Sequence, residues 1–369
     1  MFEAIKLIAV FALTTVITLV ITPYIKKLAF KIGATDQPNE RKTHVKIMPR
    51  LGGLGIVIGT AVGLLILQPD IDHLWSVIIG GLIITAVGVL DDLYTIRPSV
   101  KFSGQLIAAL IVVFSGLTID TLTLPIIGRF ELGFLSTVIT IFWIVGVTNA
   151  INLIDGLDGL AAGVSIIGMS SMFVISLIDQ QLAVMQLLLV VIGPSIGFLY
   201  HNFFPAKIFM GDTGALFLGY VISIISILGL FKNVTLFSFI VPIIIMAVPI
   251  FDTLFAIIRR AISGQRIGEA DKKHIHHKLI AMGYSHRMTV LIIYGFSLFF
   301  GVMAILFTSV TVQISFVFVF FVLLGIQLIA EMTGILEGKN RPVTNQIKKT
   351  KHFIHKNKKN TKQNEHKEK

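Results

Sequence analysis

This sequence predicts an all-α integral membrane protein of about eleven transmembrane helices, with its chemically capable residues gathered on one face. Three observations carry that expectation. Of the 369 residues, 54% are hydrophobic and only 14% charged, with a mean hydropathy of +0.87, more apolar material than a soluble core of this size uses. The apolar residues fall in runs long enough to cross roughly 30 Å of hydrocarbon. Lysine and arginine are confined almost wholly to alternate gaps between those runs, the pattern that membrane insertion leaves.

In chain order the runs are 5–24, 51–67, 74–90, 102–117, 134–151, 160–178, 182–200, 215–231, 234–257, 288–307 and 314–330. None alternates like a barrel strand, and helices satisfy their own backbone groups in lipid, so each is read as a helix. The first run is too long for a signal-peptide core and no small-residue cleavage site follows it, so it is expected to stay as an anchor. An odd number of spans puts the termini on opposite faces. One face then holds seven basic residues in 26–50, Arg97 and Lys101, Lys207, seven in 259–287 and eleven after Ala330, whereas the other has only Lys6, Arg129 and Lys232. That skew makes the first face cytoplasmic, in the plasma membrane, with the C-terminus on it.

Residues 1–335 are read as one polytopic domain and 336–369 as a basic, disordered cytoplasmic tail, rich in Lys, Asn and Gln and nearly free of large apolar residues. Much of the net charge of +11 lies in that tail, which suits anionic membrane lipids and gives no support to a nucleic-acid partner. The absence of cysteine excludes disulfides and thiolate metal sites. No internal repeat is evident, which disfavours the inverted-repeat plans of transporters.

Four polar stretches carry the chemistry. Asp91 and Asp92 end the third run, where two adjacent carboxylates repel each other at the negative pole of a helix. They are either a stop-transfer boundary beside Arg97 and Lys101 or a site for a divalent cation, or for a phosphate held through one. Asn149, Asn152, Asp155 and Asp158 recur every third residue, so a partly helical backbone puts several oxygen ligands on one side. Gly156 and Gly159 break that helix. No Lys or Arg lies between Arg129 and Lys207, and carboxylates without local partners near a membrane point to function.

The third stretch, from His201 to Gly214, has Asp212 between Gly211 and Gly214 just ahead of an apolar helix. Asp212 is expected either to cap that helix or to ligate Mg²⁺, a hard cation that takes one or two protein oxygens and leaves other positions to water and phosphate. The fourth is His274-Ile275-His276-His277. With no cysteine and no nearby acidic trio it does not complete a zinc site, and its basic neighbourhood suits a phosphate-rich ligand. Asp252 lies about 10 Å from Arg259 at roughly 1.5 Å per helical residue and is read as a support behind the site.

Taken together, Asp91-Asp92, Asn149-x-x-Asn152-x-x-Asp155-Gly156-x-Asp158-Gly159, Phe209-Met210-Gly211-Asp212-Thr213-Gly214 and His274-x-His276-His277 resemble the polyprenyl-phosphate N-acetylhexosamine-1-phosphate transferases, the glycosyltransferase 4 type. The likeness runs over about 38–287, with the motifs in the family's order. It implies transfer of a sugar 1-phosphate from a UDP-sugar to undecaprenyl phosphate, releasing UMP, with Mg²⁺ as cofactor and Mn²⁺ as its substitute.

By position, the resemblance implies Asp212 as the metal ligand with Asn152 beside it. It gives Asp91 and Asp92 to the acceptor phosphate or its residual proton, their roles unseparated, and lets Asp155 and Asp158 line the same pocket. Asn149, Asn152, Lys101, His274, His276 and His277 are placed on the substrates. The histidine run departs from the three consecutive histidines of the pentapeptide transferases and, with Gly283 to Arg287, looks more like the GlcNAc-1-phosphate branch. UDP-GlcNAc is therefore the expected donor and wall teichoic acid the expected polymer. Phospho-MurNAc-pentapeptide transfer remains the alternative within the family, and a lipid or solute transporter the alternative outside it. A homodimer is compatible with all of these.

Overall fold

The computed structural model describes residues 2–37, 47–124, 128–231, 240–262, 264, 274–309 and 312–333. The expected tail at 336–369 lies outside them, as do parts of the basic stretches 26–50 and 259–287.

The apolar runs fold as helices: α1 (Phe2–Ile32), α2 (Gly53–Leu67), α3 (Leu74–Tyr94), α4 (Pro98–Phe114), α5 (Leu135–Ile154), α6 (Leu160–Ile178), α7 (Leu182–Asn202) and α8 (Gly211–Ser226), which runs on through a π-helical turn to Phe231. After them come α9 (Ile240–Ile245), α10 (Ala247–Ile262), α11 (Ile275–Ala281), α12 (His286–Ser309) and α13 (Val312–Thr333). Among the described residues, seven helices are long and apolar enough to cross a membrane, and α2, α4 and part of α13 are shorter apolar helices. Trp75, Phe114, Phe134 and Phe142 stand exposed on the outside. An apolar exterior of this kind belongs in lipid, and the chain is an all-α membrane protein.

Three details differ from the sequence expectation. The run 234–257 is divided: Pro249 has no N–H for the carbonyl of Ile245, and α9 and α10 meet at Met246 instead of forming one rod. Helix α4 begins at Pro98, which is pre-set for the first helical position, so Lys101 falls in its first turn. Two small antiparallel hairpins join the helices, β1 (Thr35–Asp36) with β2 (Met48–Pro49) and β3 (Thr121–Leu124) with β4 (Gly128–Glu131).

Helix α8 is the axis of the bundle, packed against α2, α3, α5 and α6. Its first turn is reached backbone to backbone by two neighbours. A Cβ at Gly53 of α2 would lie 2.0 Å from the Gly214 nitrogen, and one at Gly88 of α3 would lie 2.5 Å from the Thr213 Cα. These contacts bring the start of α8, the start of α2 and the end of α3 to one place, and the site is built there.

Candidate active site

The start of α8 presents unpaired backbone N–H groups and the positive end of a helix dipole. Asp92, buried at the other pole of α3, answers both. Its Oδ1 accepts the Asp212 N–H at 2.9 Å, and its Oδ2 accepts the Thr213 N–H at 3.0 Å and the Thr213 hydroxyl at 2.7 Å. Of the two readings open for Asp212, the capping of α8 by its own side chain does not hold, because the cap comes from another helix and leaves the Asp212 carboxylate clear of its own backbone. Gly211, at φ +70°, makes the turn that this requires; a side chain there would strike the Arg50 carbonyl and the Asp92 carboxylate.

Asp91, Asp92 and Asp212 each offer an oxygen within 4.8 Å of the other two. Among the described residues, two cations share this cluster. Lys101 Nζ lies 3.2 Å from Asp91 Oδ2 and is hydrogen-bonded to Asp212 Oδ2. Arg50 meets other oxygens of the cluster, with Nε 3.6 Å from Asp92 Oδ1, Nη2 3.8 Å from Asp212 Oδ1 and Nη1 3.8 Å from Asp36 Oδ1. It is held there by strand-like pairing of its segment with the one ahead of α8: Phe209 N–H donates to the Pro49 carbonyl at 2.8 Å, and Gly52 N–H to Phe209 at 3.0 Å.

The loop from Asp155 to Gly159 comes next. Helix α5 stops at Ile154, so Asn149 and Asn152 are helical while Asp155 and Asp158 lie beyond its end. Asn149 turns its amide to the Gln105 side chain at 2.6 Å and to the Val145 carbonyl at 2.8 Å, joining α5 to α4. Asn152 is half-buried one turn before Asp155. Burial is the main cause that pushes the Asp155 carboxyl up to about 7, with the charges of Asp212 and Asp92 adding to it. Asp158 points elsewhere. Its carboxylate accepts the Ala206 N–H at 2.9 Å, its own N–H donates to His286 Nε2 at 3.0 Å, and the His286 ring stacks on Phe204 at 4.6 Å between centroids. Gly159 is fixed at both ends by the Asn202 side chain, 3.0 Å from its nitrogen, and the Tyr294 hydroxyl, 2.5 Å from its carbonyl.

The histidines close the pocket. Asp252, buried on α10, accepts His274 Nδ1 at 2.8 Å and the Ile275 N–H at 2.9 Å. It therefore orients one imidazole and caps α11, while Arg259 Nη1 donates to the Thr333 carbonyl at 3.0 Å. His276 stacks parallel to His274 with centroids 5.9 Å apart and meets His277 at 4.1 Å. It also packs on Gly156, where a Cβ would sit 2.4 Å from its Nε2. Burial lowers the His276 imidazole to about 3, with His277, His274 and His286 adding to the effect, so it is neutral at physiological pH. Its Nδ1 is buried without a hydrogen-bond partner among the described residues.

The four polar stretches of the sequence thus converge at one end of the bundle, Asp92 to Asp212 to Asp155, then Gly156 to His276. Arg50, Asn202, His286 and Tyr294 were not singled out from sequence as site residues. Arg50 was one basic residue among seven with only a topological reading, and the pairing of 49–52 with 209–210 that aims it has no local signal.

A family model described as glycosyl transferase family 4 matches residues 74–230, which contain every carboxylate of the cluster and the whole Asp155 loop. The chain is 50% identical to the probable undecaprenyl-phosphate N-acetylglucosaminyl 1-phosphate transferase of Bacillus subtilis, over 92% of this chain and 96% of that one. It is 35% identical to the decaprenyl-phosphate N-acetylglucosaminephosphotransferase of Mycolicibacterium smegmatis, over 76% of each. The phospho-N-acetylmuramoyl-pentapeptide-transferase of Listeria monocytogenes stands at 30%, over 79% of this chain and 95% of that one. With half of its residues shared along nearly the full length of one relative and the motifs gathered into one pocket, the chain belongs to glycosyl transferase family 4.

Proposed function

We propose that the protein transfers GlcNAc 1-phosphate from UDP-GlcNAc to undecaprenyl phosphate, giving undecaprenyl-diphospho-GlcNAc and UMP as the first lipid-linked step of an envelope polymer, wall teichoic acid. The observation that carries the reading is the cluster of Asp91, Asp92 and Asp212 with Lys101 and Arg50 at one end of an apolar bundle. One substrate is a soluble polyanion and the other a long hydrocarbon with a phosphate head, and they meet only at the edge of the membrane. We place that edge on the cytoplasmic side of an eleven-span fold, because 26–50, Lys207, 259–287 and the C-terminal tail hold nearly all the basic residues.

An oxygen of the acceptor phosphate attacks the phosphorus bearing the sugar, and the bridging bond to the other phosphorus breaks, so that UMP leaves with the bridging oxygen. A phosphate monoester has a second pKa of about 6 and is already mostly deprotonated at neutral pH, so no strong base is required. Hard carboxylate oxygens suit Mg²⁺, and the Lys101 ammonium between two of them marks a place for positive charge. Asp91 and Asp212 would hold the ion, with Asn152 the further ligand that the resemblance implies; Asp92, with both oxygens on the α8 backbone, would keep Asp212 in position. When bound, Mg²⁺ neutralises charge on the phosphates during in-line displacement. Arg50 and His274 are set to orient anionic groups, and the neutral His276 with the Asp155 loop shapes the wall.

The reading is tested by exchange of labelled UMP into UDP-GlcNAc in membranes, followed by competition between UDP-GlcNAc and UDP-MurNAc-pentapeptide for undecaprenyl phosphate. Exchange with UDP-GlcNAc that stops with EDTA and returns with Mg²⁺ is the expected result. Preference for the pentapeptide donor would move the chain to the other branch, and solute or lipid crossing the bilayer without exchange would make it a transporter.

A further inference from the structure

We propose that Lys101 is the pocket's internal counter-cation, exchanged for the divalent ion on loading and thereby handed to the phosphates of the nucleotide sugar. Its ammonium sits between Asp91 Oδ2 and Asp212 Oδ2, the two carboxylates of the cluster not spoken for by the α8 backbone. An ion on those oxygens and an ammonium on the same oxygens repel each other at a separation where even a protein-like dielectric leaves a large energy. Both do not stay.

The architecture favours departure of the lysine. Lys101 lies in the first turn of α4, at the end of a long flexible side chain, so its head moves without shifting a helix. Arg50 is differently placed. Its guanidinium spans Asp36, Asp92 and Asp212 at 3.6 to 3.8 Å, and of the two carboxylates that hold the lysine it pairs with Asp212 alone, through the oxygen that Lys101 does not use. Asp92 stays on the α8 N-terminus throughout. Before loading, the lysine keeps two carboxylates from repelling each other and is itself quenched as an anion binder. After loading, the same carboxylates are neutralised by the ion, and a free ammonium stands at the rim of the site. The exchange makes the order of events cation first, polyphosphate second.

This inference rests on the metal reading above, and its test separates the two. Binding of Mn²⁺ alone to the full chain in detergent is followed by the loss of the free-ion electron paramagnetic resonance signal, for wild type, Lys101→Met and Asp212→Asn. Removal of the competing cation is expected to tighten Mn²⁺ binding at least about tenfold in Lys101→Met, while UDP binding in the presence of saturating Mn²⁺ weakens. In wild type, Mn²⁺ is also expected to speed acylation of Lys101 by an amine-selective reagent severalfold, read by mass spectrometry, a measurement that no folding defect of a variant can confuse. Unchanged or weaker Mn²⁺ binding in Lys101→Met, or acylation indifferent to Mn²⁺, overturns the exchange but leaves the metal site standing if Asp212→Asn abolishes binding. Binding that is indifferent to Asp212→Asn removes the metal site and the exchange together.

Discussion

Asp91 and Asp92 are neighbours in the chain with opposite surroundings, and the sequence had no means of telling them apart. What separates them is the start of α8, 120 residues away from Asp92, whose three donors occupy Asp92 and leave Asp91 to Lys101. Asp92→Ala strands three donors in the interior, at about 1–3 kcal/mol for each one left unpaired. It is expected to lower the melting temperature markedly and remove activity, whereas Asp212→Asn, which keeps its own N–H on Asp92, removes activity with little change in melting. A thermal shift assay beside UMP exchange checks the pair, and equal melting losses would refute the division of labour. His276 supports a prediction in pH. Its folded-state value of about 3 lies below the ordinary imidazole value of 6.5, so between those values the unfolded chain binds a proton that the folded one refuses. Stability from this source is therefore whole above pH 6.5 and falls as pH drops, by about 2 kcal/mol at pH 5. Melting of wild type at pH 7.5 and 5 is expected to differ by more than melting of His276→Gln, and parallel losses would show that His276 is not the group responsible.

At the scale of elements, most helices were legible because continuous apolar runs between polar gaps leave few alternatives in lipid, and the motifs fell at helix ends as their polarity demanded. The division at Met246 was less legible, since Pro242 and Pro249 lie in a run whose hydropathy alone reads as one span. Least legible were the crossings. Gly53 and Gly88 look in sequence like ordinary small residues of membrane helices, yet each is the point where a helix meets the first turn of α8 with no room for a methyl group. Gly88→Ala drives a Cβ into the backbone that carries Asp212, and overpacking of that kind costs about 1–3 kcal/mol. It is expected to lower melting and to reduce exchange further than the stability loss explains, because α8 shifts against the Asp92 cap. Gly295→Ala on α12, where a Cβ meets nothing within 4 Å among the described residues, is expected to leave both unchanged. A Gly88 variant as stable and active as the Gly295 variant would show that the backbone contact is not needed to place Asp212.

The whole molecule poses the question of orientation, and its own composition supplies the means to answer it. Orientation is written in the sequence only as a distribution of charge that local structure does not record, and the fold adds one constraint: the ends of α3 and α5 and the starts of α4, α8 and α12 lie together around the site. Any topology must therefore put residues near 92, 155, 207 and 286 on one side and the connection from α2 to α3, residues 68–73, on the other, since α3 leads from that connection to the site. The chain contains no cysteine, so single cysteines are introduced without any background to remove. Asp70 and Lys207 are both exposed and lie outside the acid cluster. In intact cells a membrane-impermeant maleimide is expected to label Asp70→Cys but not Lys207→Cys, and permeabilisation is expected to open Lys207→Cys to the reagent. Labelling of both from outside would contradict the one-sided pocket itself, because the loop that carries Lys207 also carries Ala206, whose N–H Asp158 holds. Labelling in the reversed order would keep the pocket and turn the protein over, placing the proposed nucleotide site where no cytoplasmic UDP-sugar arrives. The fold and the charge distribution make independent statements here, and only the expected order satisfies both.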